Sequence, residues 1–256
     1  MIPYPNLSPE IVRIGPFSIR WYGMMYLLGF LSSYLLVRHQ VKEKRLPISK
    51  ETIDALYTYI ILGLLIGARL GYVIFYNLPV YLKDPLEVFA IWHGGMSFHG
   101  GLIGCIFSGF IFSRRYRLDF WLLSDLLVVT APIGLGLGRL GNFINGELYG
   151  RVTDVPWAMV FPDGGPLPRH PSQLYEFLLE GVTLFVLLWF LKDRLSKRGY
   201  LSAIFLLLYG LFRIIIEFFR EPDPQIGYLY GFITMGQVLS SVMIIIGLLL
   251  LYIRRH

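Results

Sequence analysis

Long apolar blocks alternate with short polar connections along this chain, and each block approaches the roughly 20 residues that cross a bilayer as a helix. Seven blocks stand out, at about 18–38, 54–76, 97–114, 120–140, 173–191, 200–219 and 231–253. The third and sixth carry polar groups at one end. Pro85 to His93 reads as a short interfacial helix. Neither a soluble segment nor an internal repeat separates the blocks. The pattern therefore predicts one polytopic domain over 1–256, an all-α integral membrane protein with seven transmembrane helices.

Charge in the connections gives that bundle a direction. The first connection holds Arg38, Lys42, Lys44, Arg45 and Lys50; the third holds Arg114, Arg115 and Arg117; the fifth holds Lys192, Arg194, Lys197 and Arg198; the chain ends Arg254-Arg255. Lys83 in the second is offset by Asp84 and Glu87, and Arg220 in the sixth by Glu221 and Asp223. Basic connections face the cytoplasm. The expected topology has the N-terminus extracytoplasmic (periplasmic) and the C-terminus cytoplasmic. Residues 141–172 form the longest outer connection, with Pro156, Pro162, Pro166, Pro168 and Pro171. Long irregular connections are more often functional or disordered than idle. Its aromatic and polar content favours an ordered head region over the outer face.

Composition agrees and excludes other classes. Hydrophobic residues make up 55%, charged residues 16%, and the mean hydropathy is +0.59, whereas a soluble domain carries roughly 25% charged residues. The net charge of +6 lies in the topological connections, so nucleic acid is not expected as a partner. Cys105 is the single cysteine; it forms no internal disulfide and suggests no metal site. Residues 1–20 lack the basic start, apolar core and cleavage site of a signal peptide, so the first span is expected to remain.

Ionisable residues inside spans are costly and usually face the protein interior. Orientation places most of them toward the outer side: Arg69, His99, Arg139, Glu176, Glu180, Arg213 and Glu217, with Tyr22 opening the first span. Arg213 lies roughly 20 Å up a helix that rises 1.5 Å per residue. Asp125 is the exception, near the cytoplasmic end of the fourth span. An ion-pair network that only locks helices together is the plain alternative. Tyr209, Arg213 and Glu217 follow at i, i+4, i+8, with Arg220 three residues later, so all four fall near one stripe. Glu217 is expected to form a salt bridge that holds Arg213, and the arginine fork suits phosphate.

The run from Gly134 to Glu147, Gly-Leu-Gly-Leu-Gly-Arg-Leu-Gly-Asn-Phe-Ile-Asn-Gly-Glu, is the most unusual. Residues 136–141 match G-x-G-x-x-G, but no strand precedes them, so a dinucleotide site is rejected. Gly138 and Gly141 are expected to bare the backbone beside Arg139, with Asn142, Asn145 and Glu147 completing a polar pocket. Gly63, Gly67 and Gly71 suit close helix packing. In His93-Gly-Gly-Met-Ser-Phe-His-Gly-Gly101, Ser97 and His99 are two apart and do not face each other on a helix. A lone His there is either structural or, near convergent arginines, a general base. A transporter or channel for an anionic solute is the rival function; it needs a polar path, and the inner half offers little beyond Asp125.

Several of these runs resemble the bacterial phosphatidylglycerol–prolipoprotein diacylglyceryl transferase family. Gly138 to Glu147, Gly95 to Gly101, Arg169-His-Pro-Ser-Gln-Leu-Tyr-Glu176, Arg213 to Arg220 and Trp21-Tyr-Gly23 match its motifs in order along nearly the whole chain. The connection from Phe161 to Arg169 is shorter than in some members. The resemblance implies a transferase of the bacterial cytoplasmic (inner) membrane, with its site toward the outer leaflet. It would move a diacylglyceryl group from phosphatidylglycerol to the lipobox cysteine thiol of a prolipoprotein signal peptide and release glycerol 1-phosphate, with no metal or cofactor. The family's phosphatidylglycerol-binding arginine falls on Arg139 and its second essential arginine on Arg213. Other important positions fall on Tyr22, His99, Asn142, Glu147, Tyr209, Glu217 and Arg220. On this reading Arg139 and Arg213 hold the phosphate, His99 assists thiol deprotonation, Glu217 positions Arg213, and Asn142, Asn145 and Tyr22 orient the head group.

Overall fold

Each of the seven apolar blocks is mainly helical over its described residues in the structure, a computed structural model that describes residues 2–5, 7–15, 17–90, 94–222, 228–229 and 233–255. In chain order the helices are α1 (Trp21–Glu43), α2 (Lys50–Phe75), α3 (Leu78–Lys83), α4 (Phe98–Tyr116), α5 (Phe120–Val128), α6 (Ala131–Asn145), α7 (Ser172–Glu176), α8 (Leu184–Leu191), α9 (Tyr200–Glu217) and α10 (Met235–Arg255). A π-helical segment, Phe177–Thr183, joins α7 to α8. Two small antiparallel hairpins, β1 (Glu10–Ile14) with β2 (Phe17–Arg20) and β3 (Tyr228–Leu229) with β4 (Ile233–Thr234), are the only sheets among the described residues.

Four helices have the length and apolarity to cross a membrane: α2, the continuous Ser172–Leu191, α9 and α10. A fifth is counted if α5 and α6, bent by 42°, form one broken span. Pro132 sits in the first turn of α6, where its missing N–H costs nothing and its ring can follow a break. The seven expected spans are thus four or five by this standard. The 23-residue α1 and the 19-residue α4 have the length, but tyrosines and serines dilute α1, and glycines, His99 and Arg114-Arg115 dilute α4. The interfacial helix expected over 85–93 is a 3₁₀ turn at Pro85–Phe89, preceded by the unexpected α3. Residues 91–93, Asp223 and the expected start of the last span at 231–232 lie outside the described residues.

The chain divides into two compact units, one formed by Met1–Val37 with Asp125–His256, the other by Arg38–Ser124. In the second unit α2 and α4 meet through glycines. A Cβ on Gly71 would lie 2.8 Å from Gly100 Cα, and one on Gly67 would lie 2.8 Å from Gly104 Cα, so only bare backbone allows this approach. Arg69 is buried here and donates to five backbone carbonyls: Glu87, Val88, Ala90, Gly94 and Gly95. It staples the loop before α4 to α2.

The first unit is built around α6, the α7–π–α8 helix, α9 and α10. Val129, Leu184, Leu188 and Leu201 are fully or almost fully buried together. Asp125 accepts from the N–H groups of Gly199 (2.6 Å) and Ser202 (2.9 Å) and from the Ser202 hydroxyl (2.7 Å). These satisfy orphan donors at the start of α9, which explains an ionisable group near the start of the fourth block. Residues of the 141–172 connection pack against α6 and the N-terminal segment. Phe143, Met159 and Phe161 pack with Tyr4, Tyr149 and Leu174, and the Tyr4 hydroxyl donates to the Phe143 carbonyl at 2.6 Å.

Candidate active site

Glycine decides where the first unit's charges meet. A Cβ on Gly136 would lie 3.0 Å from Gly181 Cα, so α6 and the π segment touch backbone to backbone. Arg139 follows Gly136 by one turn, and Glu180 immediately precedes Gly181. The close approach therefore brings the guanidinium against carboxylates that are completely buried, Glu176 and Glu180, both 0% exposed.

One oxygen organises the cluster. Glu176 Oε2 lies 2.5 Å from Arg139 Nε and 3.2 Å from Arg213 Nη1. Arg213 Nη2 lies 3.1 Å from Glu217 Oε2, the ion pair that the i, i+4 spacing on α9 favours. Glu180 is held more loosely, 3.9 Å from Arg139 Nη2 and 3.7 Å from Arg213 Nη1. Neither Glu180 oxygen has a hydrogen-bond partner among the described residues. Gly236 makes room for Glu217, since a Cβ there would sit 2.7 Å from its carboxylate.

The two arginines differ. Arg213 is almost enclosed by three carboxylates, with 10% of its side chain exposed. Arg139 is 21% exposed. Its Nε is committed to Glu176, its Nη2 leans on Glu180, and its Nη1 has no partner among the described residues. A Cβ on Gly138, beside it, would meet nothing within 4 Å. Arg139 thus presents a partly open Nη1–Nη2 edge, the geometry that takes two oxygens of a phosphate or carboxylate.

The polar tip of α6 is equally organised. Asn142 Nδ2 and Asn145 Nδ2 both donate to Glu147 Oε1, at 2.8 and 3.0 Å. Gly146 allows this turn through its left-handed backbone, φ 70°, a conformation costly for other residues. Tyr22 covers Gly141, where a Cβ would lie 2.9 Å from its ring. Gly141 is therefore a seat for Tyr22 and does not bare the backbone, as expected beside Arg139; only Gly138 does. The Tyr22 and Tyr26 hydroxyls are 3.2 Å apart.

A sequence model of the prolipoprotein diacylglyceryl transferase family matches residues 9–253. The chain belongs to this family. A phosphatidylglycerol–prolipoprotein diacylglyceryl transferase of Desulfotalea psychrophila is 55% identical, over 98% of this chain and 95% of its own length. Enzymes of the same name from Nitratidesulfovibrio vulgaris and Coxiella burnetii are 51% and 52% identical, over 98% and 96% of this chain and 96% and 95% of their own lengths.

In this member of the prolipoprotein diacylglyceryl transferase family, Arg139, Arg213 and Glu217 converge, and Asn142, Asn145 and Glu147 form their own hydrogen-bonded group at the end of α6. Tyr209, one turn before Arg213, stacks on Phe205 at 5.8 Å and lies within the field of Arg139, Arg213, Glu176 and Glu180. Arg220 falls beyond α9, bridged to Gly150 while its N–H still reaches the Ile216 carbonyl, so the helical stripe ends at Glu217. His99, exposed in the first turn of α4, belongs to the other compact unit and makes a ring contact with Phe98. Sequence reasoning set Glu176 and Glu180 on the outer side but gave them no role. Their i, i+4 spacing in an apolar span was the available signal.

Proposed function

We propose that this chain transfers the diacylglyceryl group of phosphatidylglycerol to the lipobox cysteine thiol of a prolipoprotein. In the reaction a sulfur–carbon bond forms, the bond from that glycerol carbon to the phosphate oxygen breaks, glycerol 1-phosphate leaves with the electron pair, and the thiol gives up its proton. The observation that carries the reading is the open guanidinium edge of Arg139, held from behind by a buried carboxylate and flanked by Gly138. Family membership supports a phospholipid phosphate as the ligand of that edge.

In this mechanism Arg139 grips the phosphate with its Nη1–Nη2 fork. Donors aimed at the oxygens where charge develops stabilise the departing phosphate. Arg213 contributes field and, through Glu176, holds Arg139 in place; Glu217 fixes Arg213. Asn142, Asn145 and Glu147, with Tyr22, Tyr209 and Arg220, bind and orient the lipid head group. His99 is assigned as the thiol base from its family motif, since the thiolate is the nucleophile. The protein works in the bacterial cytoplasmic membrane. Alternation of basic connections supports seven spans, including α1 and α4, with the N-terminus and head region extracytoplasmic, the C-terminus cytoplasmic and the site toward the outer leaflet.

The test is direct. Purified protein is incubated with phosphatidylglycerol and a lipobox peptide, and the peptide is weighed by mass spectrometry. The expected result is a gain of one diacylglyceryl group, with glycerol phosphate released. Folded protein that yields neither product would overturn the assignment.

A further inference from the structure

We infer that Glu180 is an exchangeable counter-ion, which the phosphate of the lipid substrate displaces from Arg139. The inference rests on the reading of Arg139 as the phosphate-binding residue and deepens it.

Three carboxylates share the two guanidiniums of the cluster, and they are not held alike. Glu176 is bound at 2.5 and 3.2 Å, and Glu217 at 3.1 Å. Glu180 stands off at 3.7 and 3.9 Å, fully buried, with neither oxygen hydrogen-bonded among the described residues. A carboxylate removed from water without hydrogen bonds is expensive to keep. Its position satisfies the arginines' charge without saturating their donors.

The division of donors on Arg139 makes the exchange specific. Nε is turned inward to Glu176, which fixes the guanidinium plane. The fork left for a ligand is Nη1–Nη2, and Nη2 is the donor that Glu180 engages. A phosphate gripping this fork takes Nη2 from Glu180 and leaves the Glu176 bond untouched. The residues facing Glu180 are Arg139 from α6, Glu176 from α7, and Tyr209 and Arg213 from α9, with the field of Arg220 beyond its end. No other described cation pairs with Glu180, so the exchange sets the internal anion directly against the incoming one.

Competition predicts opposite signs for two neighbouring carboxylates. Glu180→Gln keeps the shape and removes the competing anion, so dihexanoyl phosphatidylglycerol should bind about tenfold tighter or more, on the order expected for one nearby charge in a partly polar interior. Glu180→Asp, which withdraws the charge by one methylene, should bind tighter by a smaller factor. Glu176→Gln loosens Arg139 and should bind more weakly. Calorimetric titration of purified protein in non-ionic detergent measures all three, with Arg139→Gln as reference. Simple structural damage does not tighten binding, so a gain in Glu180→Gln is diagnostic. If Glu180→Gln does not fold, Glu180→Asp against the native chain decides the sign. Loss of binding in Arg139→Gln with unchanged or weaker binding in the Glu180 variants overturns the exchange and leaves the phosphate fork standing. Native-like binding in Arg139→Gln overturns both.

Discussion

Gly136→Ala tests whether helix approach, and not charge alone, builds the site. The new Cβ would sit 3.0 Å from Gly181 Cα and 3.2 Å from Phe177 Cδ2. Carbon atoms prefer about 3.5–4.0 Å, and the nearer obstacle is backbone, which cannot rotate away. Relief requires α6 to withdraw by roughly 0.5–1 Å. Arg139 lies one turn along the same helix and rides with it, so its 2.5 Å contact with Glu176 opens. Overpacking of this kind costs about 1–3 kcal/mol of stability. A misplacement near 1 Å can cost about 100-fold in rate, so kcat/KM for diacylglyceryl transfer should fall roughly 10- to 100-fold, or about 1.4–2.7 kcal/mol.

The paired control for stability is Gly138→Ala, two residues away, where a Cβ meets no protein atom within 4 Å. It should unfold at or above the native temperature, because Ala favours a helix over Gly by about 1 kcal/mol. Thermal unfolding in detergent and transfer to a lipobox peptide are measured side by side. Gly136→Ala activity within about threefold of native, well inside the loss expected from a displaced Arg139, would refute the reasoning.

Arg139→Lys should lose most transfer activity despite keeping the charge, because an ammonium has no fork; full activity would sink the clamp. His99→Gln should lose most turnover at every pH, and near-normal turnover would remove His99 as the base. Asp125→Ala strips acceptors from the start of α9 and should lower stability by about 1–2 kcal/mol, read as an earlier unfolding midpoint. Partial burial lowers the pKa of His170, outside the spans. The fold therefore favours its neutral form, and that stability is complete above the unfolded value of about 6.5 and drains as pH falls below it. Protection of the amides around His170, with the intrinsic pH dependence of exchange divided out, should fall from about pH 6.5 downward, and constant protection would contradict this.

Helix positions were legible because an apolar run of that length has one economical conformation in lipid. The glycines of α2 were legible for the same reason, since Gly63, Gly67 and Gly71 at four-residue spacing share one face. What sequence hid was local and geometric. The hairpin from Glu10 to Arg20 follows a proline-rich start that gives no alternation to follow. The π segment is invisible because its residues, Phe177–Thr183, also read as ordinary helix. Arg69, in the second half of an apolar helix, looks from spacing like a member of the polar group; only the structure shows its donors consumed by five carbonyls. Glu176 and Glu180 were seen as charges but not as partners, because the pairing depends on how closely α6 approaches, and that is set by Gly136 and Gly181.

The 141–172 connection also shapes the site through the backbone at the end of α9. Arg151 donates from Nε to the Arg220 carbonyl at 2.8 Å and from Nη2 to the Glu217 carbonyl at 3.1 Å. These carbonyls lie at the C-terminal end of α9, where orphan acceptors and the negative end of the helix dipole favour a cation. Asp125 performs the complementary service at the other end, accepting from Gly199 and Ser202. Charged groups from outside α9 thus pin both of its ends, which fixes its rotation about its own axis. Since a turn of 100° per residue separates neighbours on a helix, even a modest rotation would swing Arg213 off Glu176. The long irregular connection therefore belongs to the machinery of the site, although none of the ion-paired side chains of the central cluster comes from it.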